Sequence, residues 1–289
     1  MIANDNTSPT RAKSGKSVEA WSGKDKGDEN FPVASLLIAK PLRARVHAYY
    51  DFARNADDIS DSATLSPEEK LERLNAMEVV LTGALDTGSP SATRLRQSLA
   101  ESGVSNIHAR ELLTAFRQDV VKHRYENWGE LMHYCRYSAA PVGRYVLDVH
   151  GESHDTWAPS DALCASLQVL NHLQDCAKDL RDLDRCYVPQ DWLREAGLTT
   201  DDIARPETVP ALRTVFDKML DATETLNRTA AELPRRVKSR RLRIETAIIC
   251  ALANRLTTKL RHGDPLATRV KLSKLDVLAA TLLGLRYVP

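Results

Sequence analysis

The stretch YYDFARNADDISD occupies residues 49–61, and the interpretation of the whole chain starts from it. If it is helical, Arg54, Asp57, Asp58 and Asp61 lie three, four and seven residues apart and share one face. Carboxylates on adjacent turns repel one another, so such a face is tolerable only in open water or where cations neutralise it. The stretch therefore indicates either a solvated helix surface or a cation site.

A second acidic stripe follows later in the chain, on a helix that we expect from about residue 160 to residue 182. Its apolar side consists of Leu163, Leu167, Leu170 and Leu173, and its polar side of Gln168, Asn171, Asp175, Asp179 and Asp182. Magnesium prefers oxygen ligands, keeps several waters and commonly takes one or two carboxylates together with substrate phosphate oxygens. Two facing helices of this kind would hold a cluster of magnesium ions, and the ions would bind an anionic diphosphate.

The acidic residues also fit other kinds of surface or site. Either stripe taken alone fits a solvated helix face. A di-iron bundle needs two Glu-x-x-His units, and the chain has one, Glu130–His133. An acid and base pair of the glycosidase type fits poorly with so many carboxylates in helices. The sequence contains no glycine-rich phosphate loop, so we expect no nicotinamide cofactor.

The rest of the chain predicts an all-α protein of roughly ten helices. Residues 1–29 are rich in Ser, Lys, Asp, Asn and Gly without apolar periodicity, and we expect a disordered or loosely ordered arm there. Residues 30–289 form the single expected domain. A helix start is predicted at Ser66, where Pro67 and two acidic residues follow. Long helices are expected over residues 128–151 and 160–182, and strand-like alternation is absent.

Composition narrows the class of partner and the compartment. The formal net charge of +1 argues against binding to nucleic acid by bulk attraction. Five cysteines without paired short spacing fit reduced thiols in a cytoplasmic protein. No secretory signal and no apolar run of about 20 residues is present. The most apolar segment, residues 275–285, predicts a packed terminal helix, with peripheral contact to a membrane surface as the alternative.

Residues 49–61 together with the stretch NHLQDCAKD at residues 171–179 resemble the squalene and phytoene synthase family of head-to-head prenyl synthases. The resemblance extends from about Asn30 to the end of the chain. It implies an all-α isoprenoid synthase-type helical bundle, in which acidic helices face each other across a central apolar cavity. It also implies a prenyl diphosphate substrate and Mg²⁺ as the cofactor.

Carried over by position, the resemblance implies roles for individual residues. Catalytic roles fall to Tyr134, Arg54, Asp57 and Asp61; substrate binding to Arg54, Asn171, Gln168 and Tyr134; and magnesium binding to Asp57, Asp58, Asp61, Asn171, Asp175 and Asp179. Tyr134 opens the stretch YCRYSAAPVG, which matches the family's active-site tyrosine. Its alternative role is that of a core tyrosine with a satisfied hydroxyl.

Departures from the family pattern bear on the reaction. The basic segment that opens condensing members is replaced by the acidic stretch GDENFP at residues 27–32. The small Ala-Gly pair after the tyrosine becomes Ala-Ala-Pro at residues 139–141, and one extra residue separates Asp179 from Arg185. These features resemble the bacterial hydroxysqualene synthase branch of the family. That resemblance implies conversion of presqualene diphosphate and water to hydroxysqualene and diphosphate, coupled to a presqualene diphosphate synthase and a reductase.

Two alternatives to this reaction stay open at the level of sequence. The first is condensation of two farnesyl or geranylgeranyl diphosphates to presqualene diphosphate, squalene or phytoene. The second is a catalytically silent homologue that scaffolds a prenyl-lipid pathway, although every expected metal ligand is in place.

Overall fold

Helices form nearly all of the regular structure in the computed structural model, which describes residues 17–19 and 38–287. The α-helices are α1 (Lys40–Ser60), α2 (Pro67–Thr82), α3 (Pro90–Ser102), α4 (Ile107–Val121), α5 (Trp128–Ser138), α6 (Ala140–Val149), α7 (Trp157–Gln174), α8 (Cys176–Leu183), α9 (Gln190–Glu195), α10 (Pro210–Ala230), α11 (Leu233–Arg236), α12 (Arg240–His262) and α13 (Lys274–Gly284). Within the described ranges there is no β-strand, only an isolated bridge between Arg124 and Cys186. The predicted all-α class is confirmed.

Local sequence signals explain several of the helix ends. Ser66 caps α2 as predicted: its Oγ accepts a hydrogen bond from the Glu69 N–H at 3.2 Å, and the Glu69 carboxylate accepts one from the Ser66 N–H at 2.8 Å. α1 carries Pro41 in its first turn and continues to Ser60. The acidic motif therefore occupies the carboxyl-terminal part of α1.

Helix α7 is the central element of the bundle. It packs against α5, α6, α10 and α12, and its buried residues include Leu163, Val169, Leu170 and Leu173. Together these helices form one hydrophobic cluster. A second hydrophobic cluster is formed by residues of α1, α2, α3, α4 and α6. It includes Tyr49, whose ring stacks on that of Tyr145 at 4.1 Å between centroids. Burial of apolar surface between the packed helices is the main stabilising term of such a bundle.

Two helices that the sequence predicts as continuous are broken. The predicted helix over residues 128–151 is interrupted at Ala139, because Pro141 lacks an N–H and cannot continue the hydrogen-bond ladder of α5. The predicted helix over residues 160–182 ends at Gln174 and restarts at Cys176, with Asp175 at φ −110° and ψ 10° between them. No proline or glycine marks this second break. The bundle has thirteen α-helices in its described part, more than the roughly ten expected.

Most of the predicted N-terminal arm, residues 1–29, lies outside the described residues, but residues 17–19 lie against the start of α3. The Val18 N–H donates to the Gly88 carbonyl oxygen at 2.9 Å. One carboxylate oxygen of Glu19 accepts hydrogen bonds from the Ser89 hydroxyl at 2.6 Å and from the Ser91 N–H at 2.7 Å. These contacts attach the described part of the arm to the bundle.

The terminal helix α13 packs on α12, as predicted for residues 275–285. Its outer face is apolar and exposed, with Leu275 at 76% and Leu282 at 59% of full exposure. Its single acidic residue, Asp276, is buried and bonded to Arg255 and Lys259. None of the helices in the described ranges has the length and apolarity needed to cross a membrane.

Candidate active site

A cavity of about 550 Å³ opens between α1, α4, α5, α6, α7, α8 and α12. Its apolar lining includes Ile38, Val46, Leu112, Phe116, Val142, Val146, Leu163, Leu167, Leu242 and Ile249. Its polar lining includes Arg54, Asp57, Asp61, Asp119, Tyr134, Gln168, His172, Asp179, Arg185, Tyr187 and Glu245. The volume lies in the range of ordinary small-molecule sites, and the lining suits an apolar ligand with one strongly anionic group.

The first acidic motif divides between the cavity and the interior. Asp57 and Asp61 line the cavity, whereas Asp58 is buried and does not. Arg54 also lines the cavity and is held by both neighbours: its Nη1 lies 3.2 Å from Asp57 and its Nη2 lies 2.8 Å from Asp58. Because both pairs lie within one turn of α1, the guanidinium is fixed before any ligand binds.

The second acidic motif contributes fewer residues to the cavity than the continuous helix predicted. Gln168 and Asp179 line it, and the Gln168 amide lies 3.1 Å from the His172 ring. Asn171 and Asp175 lie outside the lining, and the Asp175 carboxylate accepts a hydrogen bond from Arg269 at 2.8 Å. The break at Asp175 separates residues that an unbroken helix would have aligned on one stripe.

Two charged residues that the sequence did not assign to the site stand at its centre. Arg185 is buried; its Nη1 lies 2.6 Å from Asp61, and its Nη2 donates to the Asp119 carbonyl oxygen at 3.1 Å. The buried Asp119 carboxylate accepts the hydroxyl hydrogen of Tyr134 at 2.9 Å. These bonds join the end of α1, the last turn of α4, α5 and the segment after α8 into one polar network.

A signal for Asp119 was present in the sequence. Leu112, Phe116 and Asp119 are spaced four and seven residues apart, so the carboxylate falls on the apolar face of its helix. All three line the cavity. An acid on a core-facing stripe of apolar residues is a reason to expect a polar site.

Burial controls the protonation of the central groups. Burial raises the pKa of Asp119 to about 7, although Arg185 and the Tyr134 hydroxyl oppose the shift. Burial also raises the pKa of Tyr134 well above its usual value, so the phenol stays protonated. Burial lowers the pKa of His172, whose ring stacks on Tyr187 at 3.4 Å between centroids. The His172 ring is therefore neutral, and Arg54 and Arg185 carry the positive charge of the cavity lining.

The donor set fits magnesium bound together with a ligand. In the described part of the chain, no three His, Cys, Asp or Glu side chains converge on one point as a preformed metal site. Asp57 and Asp61 line the cavity from α1, and Asp179 lines it from α8. Carboxylates placed this way suit a cation that keeps several waters and completes its shell with substrate phosphate oxygens.

The fold and the cavity define an all-α class of protein in which carboxylates and arginines border an otherwise apolar chamber. The chain belongs to the squalene/phytoene synthase family, whose sequence profile matches residues 24–276. It is accordingly an enzyme of the prenyl diphosphate-processing class.

Individual relatives agree with this assignment. The chain is 47% identical to the hydroxysqualene synthase of Rhodopseudomonas palustris over 263 residues, which cover 91% of this chain and 90% of the relative. It is 44% identical to the hydroxysqualene synthase of Zymomonas mobilis over 269 residues, with coverages of 92% and 89%. Among solved structures, squalene synthase HpnC from Alicyclobacillus acidocaldarius superimposes with a TM-score of 0.72 at 31% identity, covering 80% of this chain and 87% of that one. The resemblance inferred from the two motifs is confirmed.

Proposed function

We propose that the chain converts presqualene diphosphate and water to hydroxysqualene and diphosphate. The observation that carries the proposal is the identity of 44–47% over about nine tenths of the chain to relatives named hydroxysqualene synthase. The reaction needs a supplied cyclopropyl diphosphate and leaves an alcohol, so we also propose functional coupling to a presqualene diphosphate synthase and to a reductase.

Ionisation of the substrate is the step that the charged lining assists. Arg54, fixed by Asp57 and Asp58, places a permanent positive charge on the cavity wall, where it would attract the diphosphate oxygens. Asp57, Asp61 and Asp179 line the cavity and would hold Mg²⁺, with Asp58, Asn171 and Asp175 as the remaining predicted ligands. Bound magnesium supplies neutralisation of the charge that develops on the leaving diphosphate.

The apolar lining of the cavity would keep bulk water away from the carbocation that ionisation produces. A carbocation reacts with any water it meets, so rearrangement before capture requires a chamber from which bulk water is excluded. Side chains such as Phe116, Leu163 and Leu167 provide that lining. Tyr134 presents its ring among them while its hydroxyl is bonded to Asp119. We propose that this ring stabilises the cation, as aromatic faces do for positive charge.

The decisive experiment supplies purified protein with presqualene diphosphate and Mg²⁺, without a reductant, and identifies the products by mass spectrometry. Hydroxysqualene is the expected product. A parallel reaction with farnesyl diphosphate alone tests the condensing alternative, and rapid consumption there would overturn the proposal. If the native protein is inactive on every prenyl diphosphate and Asp57→Ala changes nothing, the alternative of a catalytically silent homologue that scaffolds a pathway would be favoured instead.

We also propose that α13 contacts an anionic membrane surface peripherally. Leu275, Leu278 and Leu282 are exposed on this helix. The exposed Lys271 precedes the helix, and the exposed Lys274 is its first residue. An apolar face bordered by basic residues matches an interface of acyl chains and anionic head groups.

Liposome co-sedimentation tests this contact with vesicles of neutral lipid and of neutral lipid mixed with anionic lipid. Binding to the anionic vesicles is expected, and Leu278→Gln with Leu282→Gln should abolish it. The matched control is Val121→Gln, which removes a similarly exposed apolar side chain from α4 and should leave binding unchanged. Equal loss in the control, or no binding by the native chain, would refute the proposal.

A further inference from the structure

The polar network behind Tyr134 contains two buried atoms with unmet hydrogen-bonding capacity. Asp119 Oδ1 and Arg185 Nε are both buried, and neither has a hydrogen-bond partner among the described residues. The other carboxylate oxygen of Asp119 is already bonded to the Tyr134 hydroxyl, and the two terminal nitrogens of Arg185 are bonded to Asp61, Ser60 and Asp119. A buried acceptor and a buried donor that are left unpaired are both unfavourable, because each has lost its hydrogen bonds to water.

These two atoms belong to side chains that are neighbours and that both line the cavity. Arg185 Nη2 donates to the backbone oxygen of Asp119 at 3.1 Å, and both residues belong to the cavity wall. One water molecule can accept from a guanidinium N–H and donate to a carboxylate oxygen at the same time. Buried polar sites with two to four such partners are where proteins hold ordered water.

We propose that Asp119 Oδ1 and Arg185 Nε hold, beside the Tyr134 hydroxyl, the water molecule that captures the substrate carbocation. This assignment rests on the proposed function and adds to it the source of the hydroxyl group. A water bound in this way has one lone pair used by Arg185 and one hydrogen used by Asp119, so its second lone pair is left for the carbocation. Asp119 and Arg185 thereby become catalytic residues, since both touch the reacting water.

The chemistry balances without any further reactant. The oxygen lone pair of the water forms a C–O bond with the cationic carbon, and the O–H bond directed at Asp119 breaks. The proton passes to the carboxylate, and the hydroxyl group stays on the product. Asp119 then returns its proton to water as the products leave. The raised pKa of Asp119, about 7, makes this carboxylate a stronger base than an exposed aspartate.

Selective capture also follows from this arrangement. Water fixed on one part of the wall attacks one position and one face of the cation, whereas free water would give a mixture of alcohols. Carbocations that meet no nucleophile lose a proton and become hydrocarbons. The ratio of alcohol to hydrocarbon therefore reports on the water site separately from the rate of ionisation.

The test compares Asp119→Asn with the native enzyme on presqualene diphosphate and Mg²⁺ in ¹⁸O-labelled water, measuring diphosphate release and product identity. Asparagine keeps the shape and can still accept the Tyr134 hydrogen bond, but it is not a base. We expect diphosphate release to continue and the alcohol fraction to fall roughly tenfold or more. The effect should be smaller than the ~10²–10⁴-fold of ordinary general-base catalysis, because a carbocation is reactive enough to be attacked by water without a base. The native alcohol should carry one ¹⁸O atom.

Matched tyrosine variants separate the hydroxyl of Tyr134 from general packing. Tyr134→Phe should lower the alcohol fraction, whereas Tyr125→Phe should not, because Tyr125 stacks on the same aromatic cluster but lies outside the cavity lining. An unchanged alcohol fraction in Asp119→Asn, loss of diphosphate release in parallel with alcohol, or unlabelled alcohol from native enzyme would each overturn the assignment.

A structural readout makes the result independent of how well the variants fold. A high-resolution crystal structure of the native protein should show ordered water within hydrogen-bond distance of Asp119 Oδ1 and Arg185 Nε, and its absence would overturn the assignment. Failure of the proposed function looks different, because native enzyme would then yield no hydroxysqualene while the ordered water could still be present.

Discussion

Removing the guanidinium of Arg185 should destabilise the protein far more than removing that of a surface arginine nearby. Arg185 is buried and bonded to the Asp61 carboxylate at 2.6 Å and to the Asp119 carbonyl oxygen at 3.1 Å. Breaking a buried ion pair costs about 3–5 kcal/mol because a charge is left without its partner. The Asp61 side chain keeps 21% of its exposure, so water can solvate it in part, which lowers the expected cost of Arg185→Gln to about 2–4 kcal/mol.

The measurement is urea unfolding followed by circular dichroism at equilibrium, with the free energy of unfolding extrapolated to zero denaturant. Arg181→Gln is the matched control, because Arg181 is 71% exposed and pairs with its neighbour Asp182 on the surface of α8. The control should change stability by less than about 0.5 kcal/mol.

A double-mutant cycle with Asp61→Asn locates the effect. If Arg185 and Asp61 stabilise the fold as a pair, Asp61→Asn should cost much less in the Arg185→Gln background than in the native protein. Additive costs would refute the pairing, and so would equal stabilities of Arg185→Gln and Arg181→Gln. Either result would mean that the end of α1 is not held by the segment after α8.

Three further changes test other parts of the fold and the site. Asp179→Asn should lower magnesium-dependent turnover of presqualene diphosphate by roughly 10²-fold, the effect of losing one charge-stabilising group, whereas Asp182→Asn, a surface residue paired with Lys178, should stay near native activity. Gly143→Ala should destabilise the protein by about 1–3 kcal/mol in thermal or urea unfolding, because the added methyl group meets Ser160 and Cys164 across the α6–α7 contact; unchanged stability would contradict that close approach. Glu19→Ala should cost about 1–2 kcal/mol through its lost bonds to Ser89 and Ser91, and no cost would show that the described part of the arm does not hold the bundle.

The sequence was sufficient for the fold class because the apolar spacing of every long segment is helical. It was insufficient at two helix breaks. Pro141 gave a physical reason for the first, but the break at Asp175 has no proline or glycine, so tertiary packing overrides the local preference there. The sequence predicts the second acidic stripe on one continuous helix. Because the helix is broken at Asp175, Gln168 and Asp179 line the cavity, whereas Asp175 pairs with Arg269.

Arg185 could not have been found by helical periodicity, since it lies in the loop after α8 and meets residues 61 and 119 only through the tertiary fold. Asp119 is different, because its position on an apolar helix face was visible in the sequence. What the sequence could not show was its partner. Burying an isolated carboxylate on a core face is unfavourable for folding. The hydrogen bond from Tyr134 and the nearby charge of Arg185 offset that penalty for Asp119.

The two roles considered for Tyr134 turn out to be compatible. The hydroxyl is satisfied, as expected of a core tyrosine, because it donates to Asp119 at 2.9 Å. The same residue also lines the cavity, as expected of an active-site tyrosine. A donated hydrogen bond fixes the ring and leaves the phenolic oxygen as an acceptor, so satisfaction of the hydroxyl prepares the side chain for a role beside a cation and a bound water. The buried partner that makes Tyr134 a stable core residue is thus the group that we assign to capture of the cation.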